Sequence, residues 1–333
     1  MASIPVKLAL QGGGAHGAFT WGVLDRLLEI PGLVVESVCG TSSGGMNAAA
    51  LAQGWARGGA AGARETLEAF WMTLGGRNAV LDWWGAPSWF LGENFPWPAM
   101  NHGAAAFNPL RSLVEEFFDV DVLRARPVAL HVVATRIRDG ALTVFNGTRL
   151  SHDALLASSS LPPLFPAVNI DGEAYWDGGF AGNPALEPLL HSGGDDLLCI
   201  LLQPFLRSMT PRHARESLAL SVELSFSAAF HRELRDIARA REQAEHHLWP
   251  TSVERKIRDL RLHIVAPEEG LAALGHSAAD TRSNPLQALR EFGRATAELW
   301  YVQHGEALGR HGSFSLSEWL AASERPIKPW MEP

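Results

Sequence analysis

Two apolar runs near the start of the chain, residues 6–10 and 33–39, each end in a glycine-rich turn that leads into a helical pattern. Between them Phe19, Val23, Leu24, Leu27 and Leu28 recur at helical spacing until Pro31-Gly32 closes the segment. An alanine-rich helix follows the second turn, through about residue 53. Strand, glycine loop, helix, strand, tight turn, helix is the order of a parallel α/β layer, because a crossover helix lets the next strand run in the same direction. Adjacent parallel strands then bring both glycine turns to one edge of the sheet.

Further strands are expected at 128–134, 142–145, 197–202 and 260–265, and helices near 109–118, over 211–247 and as a closing element over 285–308. On the long helix Phe226, Phe230, Leu234 and Ile237 share a face. From residue 71 to 107 neither the strand nor the helix period holds. There Trp83, Trp84, Trp89, Phe90, Phe95 and Trp97 crowd a stretch broken by Gly and Pro, and a lid and a satellite core both remain open readings. The arginines of 207–241 alternate with acidic residues, which favours a solvated helix face over headgroup binding.

With 333 residues, 47% of them hydrophobic and 19% charged, the chain can build a large core. Its net charge of -8 argues against a nucleic-acid partner but leaves a lipid surface open. No window approaches the roughly 20 apolar residues of a membrane span. The first residues lack a basic segment followed by an apolar one, so no signal peptide is read. Cys39 and Cys199 each sit in an apolar strand pattern and read as reduced core residues, with the cytoplasm as default compartment.

Gly40-Thr41-Ser42-Ser43-Gly44 fits G-x-S-x-G between a strand and a helix. Small residues let the chain turn sharply there, and the Ser42 hydroxyl projects at a helix N-terminus that favours developing negative charge. Ser43 does not hold the central position. Gly12-Gly13-Gly14-Ala15-His16-Gly17 admits two readings. A dinucleotide turn would need an acidic residue at the end of the next strand, but Glu36 lies inside that strand, whose end is the serine turn. An oxyanion hole built on Gly12, Gly13, Gly14 and Ala15 accounts for both turns with one site, since consecutive glycines let the N–H groups of residues 13 to 15 converge on one anion.

A serine nucleophile needs a base. The chain has 13 histidines, yet the segment richest in motif character, residues 157–184, contains none. It runs Ala157-Ser158-Ser159-Ser160-Leu161-Pro162-Pro163-Leu164-Phe165-Pro166, then Tyr175-Trp176-Asp177-Gly178-Gly179 and Asn183-Pro184. Two glycines after Asp177 permit close approach to its carboxylate. Taken without the serine turn, the same residues would read as a plain Asp-Gly turn.

In this order, the glycine loop, the serine elbow and Asp-Gly-Gly resemble the motifs of a bacterial patatin-like phospholipase, over roughly the first 200 residues. The resemblance implies a three-layer α/β/α sandwich with a mostly parallel sheet, and a Ser42–Asp177 dyad without histidine. Asp177 would take the Ser42 proton and later activate water against the acyl-enzyme. Gly17, Gly40, Gly44, Gly178 and Gly179 would support the motifs, and no metal or cofactor is implied. His16 departs from the Arg or Lys of many relatives and reads as loop support.

A single catalytic domain over 1–333 is therefore expected, with motifs within 6–200, and lid or cap segments at 75–107 and 207–255. Expected partners are phospholipids, lysophospholipids or other acyl esters, at a peripheral membrane surface. Three alternatives stay open. One is a carboxylesterase, thioesterase or polyester (hydroxyalkanoate) depolymerase on the same dyad. Another is a Ser-His-Asp hydrolase drawing on His276, His304 or His311, and the last is a lipid- or nucleotide-binding module without catalysis.

Overall fold

Strands and helices alternate through the first half of the computed structural model, which describes residues 3–324 except 78–107, 246–250, 272–277 and the short gaps at 109, 126–127, 163, 192, 207–209, 212 and 279. The Trp-rich stretch and His276 lie outside the described residues. β1 (Ile4–Leu10) leads through the glycine loop into α1 (Gly17–Leu27), and β2 (Leu33–Thr41) turns directly into α2 (Ser43–Gly76). Helices α3 (Leu110–Phe117) and α4 (Val120–Arg124) precede β3 (Ala129–Arg136) and β4 (Leu142–Asn146). Then come α5 (His152–Ser158), β5 (Val168–Ile170), β6 (Glu173–Asp177), α6 (Glu187–Leu190) and β7 (Asp196–Ile200). The chain continues through α7 (Ala214–Glu245), α8 (Ser252–Asp259), β8 (Arg261–Val265), α9 (Ser283–His304) and α10 (Leu316–Glu324).

The strands form one mixed sheet in the order β5-β6-β3-β2-β1-β7-β8, with β4 pairing β3 outside that path. Its central pairs, β1 with β2 and β7 and β2 with β3, are parallel. Between Val6 and Lys7 the β1–β2 register skips Glu36, which therefore bulges out and is exposed, well away from the end of its strand.

Alternation along β1 divides the core in two. Val6, Leu8 and Leu10 face α1, α2 and α9, where Trp21, Leu24, Leu67, Trp71 and Leu286 are buried. Ala9, with Cys39, Leu197 and Cys199 beside it, faces Leu186, Phe230, Leu234, Ile237 and Leu320. Helices thus cover both faces, and the architecture is a three-layer α/β/α sandwich. Cys39 and Cys199 pair on opposite sides of Ala9, both buried and unoxidised. Two strand spacings separate them by about 9–10 Å, beyond disulfide reach.

Three expectations need correction. The alanine-rich helix does not end near residue 53. It resumes after a break at Gly58–Gly59, where Gly59 has φ of 59°, and continues with Ala63, Leu67, Phe70, Trp71 and Leu74 on its buried face. The helix runs past Trp71 to Gly76. Residues 207–255 are not a cap as a whole, because Phe230, Leu234, Ile237 and Ala238 of α7 are core residues. Burial of each of the three larger side chains contributes about 1.5–3 kcal/mol. Nor does α9 close the fold, since α10 follows it.

Helix α1 crosses α9 at two glycines. A β-carbon on Gly22 would lie 1.9 Å from the Arg290 carbonyl oxygen, and one on Gly293 would lie 2.1 Å from that of Phe19. Only glycine allows backbones to approach so closely. Beside the crossing, the buried Asp25 carboxylate accepts from Arg64 at 2.7 Å and Arg290 at 2.8 Å, and also pairs with Arg294. Burial alone would raise the Asp25 pKa, but these guanidiniums outweigh it and hold the group below the ordinary carboxylate range.

Candidate active site

Ser42 and Asp177 meet because two strands share one edge of β3. β2 pairs with β3 as far as Thr41, opposite Val133. The next residue of β3, Ala134, pairs with Asp177 at the end of antiparallel β6. Since β4 already occupies the other edge of β3 at Ala134 and Thr135, β6 takes the edge that β2 vacates. The two strands run toward each other and stop one register position apart. That leaves Ser42 facing Asp177.

Ser42 has φ of 54° and ψ of -127°, a conformation that side-chain-bearing residues seldom adopt and that a sharp strand-to-helix turn imposes. Close packing enforces the turn. A β-carbon on Gly44 would fall 2.3 Å from the Leu10 carbonyl oxygen, and one on Gly40 would fall 2.2 Å from that of Gly44. The Ser42 N–H donates to Ser158 Oγ at 2.9 Å. On the opposing side, the Asp177 N–H donates to the Ser160 carbonyl at 2.9 Å and Thr135 Oγ1 donates to the Asp177 carbonyl at 2.8 Å. One short segment, residues 158–160, therefore braces both groups.

The Asp177 side chain accepts from the Gly179 N–H at 2.8 Å and has the Ser42 hydroxyl as its side-chain hydrogen-bonding partner. Burial pushes its pKa up to about 7, against the opposing pull of those two donors. Gly178 lies tight against Val133 and Thr41, and Gly179 lies under the Phe226 ring.

Holding this buried carboxyl ionised costs stability, a cost absent below the ordinary carboxylate pKa of about 4 and growing until pH passes 7. By linkage it reaches at most about 4 kcal/mol. Asp177→Asn is therefore expected to melt several degrees above wild type at pH 8 and close to it at pH 4, which melting curves at the two pH values check.

The glycine loop abuts the elbow, since a β-carbon on Gly12 would lie 2.2 Å from the Thr41 carbonyl oxygen. Gly17 opens α1 against Ser43, and His16 is buried at the helix start. The four amides expected to serve an oxyanion are not equivalent. The Gly12 N–H donates to Asn183 Oδ1 at 2.7 Å, and Asn183 Nδ2 returns a bond to the Gly12 carbonyl at 3.1 Å. The Ala15 N–H donates to the Ala278 carbonyl at 2.7 Å. These two are committed within the protein. The Gly13 N–H donates to Ser43 Oγ at 3.1 Å, a rotatable hydroxyl, and the Gly14 N–H has no acceptor among the described residues.

Beside Ser42 opens a cavity of roughly 470 Å³, including its solvent-open part, lined by Gly14, Ala15, Ser43 and Ser159 and walled by Met46, Phe70, Trp71, Leu74, Leu113 and Val114. Trp71 is fixed in that wall by its Nε1–H donating to Asn47 Oδ1 at 2.8 Å, while Asn47 Nδ2 donates to the Gly17 carbonyl at 2.9 Å.

The family model for patatin-like phospholipases matches residues 8–190, more than half of the chain. The protein belongs to the patatin-like phospholipase family. The matched span of this patatin-like chain holds the glycine loop, the elbow and Asp177. Uncharacterized NTE family proteins of Mycobacterium tuberculosis and Mycobacterium bovis are 27% identical to it over 204 residues, 61% of the chain. The alignment spans only about a third (31%) of the length of those relatives. The crystal structure of VipD from Legionella pneumophila superposes with a TM-score of 0.43 at 14% identity, covering 91% of this chain and 67% of that one.

Other candidates fall away from the site. Glu36, required by the dinucleotide reading, is exposed on its bulge. His304 and His311 flank Gly309, whose N–H donates to Asp196 Oδ1 at 2.9 Å where β7 begins, at the opposite edge of the sheet from Ser42. Buried His263 is engaged there too, between Asp196 and Ser313, both at 3.0 Å. Burial raises the Cys39 thiol far above its ordinary pKa, which leaves it unreactive. Among the described residues no helix is long and apolar enough to cross a membrane. Ser158, Asn47 and the pinning role of Asn183 went unread in the sequence; Asn183-Pro184 beside the aspartate motif was the one available signal.

Proposed function

We propose that this patatin-like protein is a lipid acyl hydrolase working through a Ser42–Asp177 dyad. The observation that carries the reading is the pairing of a strained serine at a helix N-terminus with a buried carboxylate of raised basicity. Asp177 withdraws the hydroxyl proton as Ser42 Oγ attacks the ester carbonyl. The oxyanion that forms is received by the Gly13 and Gly14 N–H groups, with the Ser43 hydroxyl turning aside from Gly13. Collapse expels the alcohol, which takes the proton held by Asp177. Water then attacks the acyl-enzyme with Asp177 again as base, releasing the fatty acid and restoring Ser42.

The apolar cavity beside Ser42 suits the acyl chain, and phospholipids or lysophospholipids are the proposed substrates. The domain is proposed to span the whole chain, because α9 covers α1 in the same layer as the motif helices.

Labelling with a fluorescent fluorophosphonate tests the site. Wild type should label, Ser42→Ala should not, and Asp177→Asn should label far more slowly. Undiminished labelling of Ser42→Ala would place the nucleophile elsewhere and end this reading. Because the base must be ionised, kcat/KM should rise tenfold per pH unit up to about pH 7 and then level off.

A further inference from the structure

Three consecutive serines follow the body of α5, and their hydroxyls are used differently. Ser158 Oγ accepts the Ser42 N–H. Ser160 Oγ donates to the Leu156 carbonyl at 2.7 Å. Ser159, between them, is only 4% exposed, lines the cavity beside Ser42, and its hydroxyl has no hydrogen-bond partner among the described residues.

A buried hydroxyl left unpaired costs stability that alanine at the same place would not. The surrounding wall, including Met46, Phe70 and Leu113, is apolar and asks for no hydroxyl. The hydroxyl thus pairs with no described residue, while the residue that carries it lines the space a substrate would fill.

We infer that Ser159 hydrogen-bonds an oxygen carried by the acyl group itself, so that the cavity favours acyl chains with a hydroxyl, keto or ester oxygen near the reacting carbonyl over plain alkanoyl chains. This rests on the acyl-hydrolase reading above. The oxygen belongs near the carbonyl because the residue before Ser159 holds the backbone of the nucleophile. A plain alkanoyl chain offers this buried hydroxyl no acceptor and leaves it unpaired. Sites built to bond a substrate hydroxyl discriminate strongly against the analogue lacking it.

The test compares p-nitrophenyl 3-hydroxybutanoate with p-nitrophenyl butanoate on the full chain. Wild type is expected to favour the hydroxy ester in kcat/KM by about tenfold or more. Ser159→Ala should erase most of that preference, and Ser159→Thr, which keeps the hydroxyl, should retain it. An unchanged ratio in Ser159→Ala overturns the inference while leaving the hydrolase reading intact.

If wild type cleaves neither ester, fluorophosphonate labelling decides the hydrolase reading and calorimetry decides the inference separately. Tighter binding of 3-hydroxyoctanoate than of octanoate, lost in Ser159→Ala, sustains it, and equal affinities overturn it. Ligand-free Ser159→Ala should also melt above wild type. A lower Tm would mean that the hydroxyl is already bonded within the protein, and the inference would fall.

Discussion

Ser42→Ala is expected to lower ester turnover by on the order of 10⁴-fold or more, with Asp177→Asn close behind and the double variant no worse than the single serine change. Non-additivity follows from the geometry. In the proposed mechanism Asp177 acts on the substrate only through the Ser42 proton and through the water that later replaces it, so without the serine there is nothing for the base to do. Steady-state rates with a soluble ester on all three variants check this. A double variant falling well below Ser42→Ala would show Asp177 stabilising the reaction by an independent route. Residual turnover in Ser42→Ala at a tenth of wild type would remove the dyad from the mechanism altogether.

Gly293→Val should be the most damaging single change to stability away from the site, costing more than about 4 kcal/mol. The added β-carbon alone would sit 2.1 Å from the Phe19 carbonyl oxygen, and backbone cannot yield there without separating α1 from α9. Separation would also pull Arg290 and Arg294 away from Asp25, leaving a buried carboxylate short of partners. Gly76→Ala is the matched control, since a β-carbon there meets nothing within 4 Å. It should shift stability by a few tenths of a kcal/mol. Urea unfolding followed by tryptophan fluorescence would read both.

Sequence reasoning did best where chemistry and local geometry coincide. Gly40 to Gly44 announces its turn because bulk is forbidden on both sides of the serine, and residues 6–10 and 197–202 announce buried strands because both their faces are covered. It failed where the cause was non-local. Nothing near Gly22 or Gly293 says that α1 and α9 meet there, as 270 positions lie between the two glycines. The helical spacing of Ala63, Leu67, Phe70, Trp71 and Leu74 does show in the sequence, but the glycine pair at 58–59 hides that this stretch continues the helix that begins at Ser43.

The site divides in the same way. The pairing of Ser42 with Asp177 was expected by resemblance, but its physical reason is the β3 register, which no single segment encodes. The acceptors that claim the Gly12 and Ala15 amides, Asn183 and Ala278, come from distant loops, and nothing beside the glycines announces them. Ser159 could not be told from its neighbours until the partners of Ser158 and Ser160 were known.

The shared edge of β3 bears on how such a molecule can diverge. Thr41, the residue before Ser42, and Asp177 pair with adjacent rungs of one strand, Val133 and Ala134, so peptide geometry sets the spacing of the proposed dyad. The cavity wall comes largely from elsewhere, from the far half of α2 and from α3, neither of which supplies a rung to that ladder. Exchanges at Phe70, Leu74 or Leu113 can therefore resize the chamber while the reacting pair keeps its spacing. On the proposed mechanism, a lineage can move among acyl donors one wall residue at a time without disturbing the dyad.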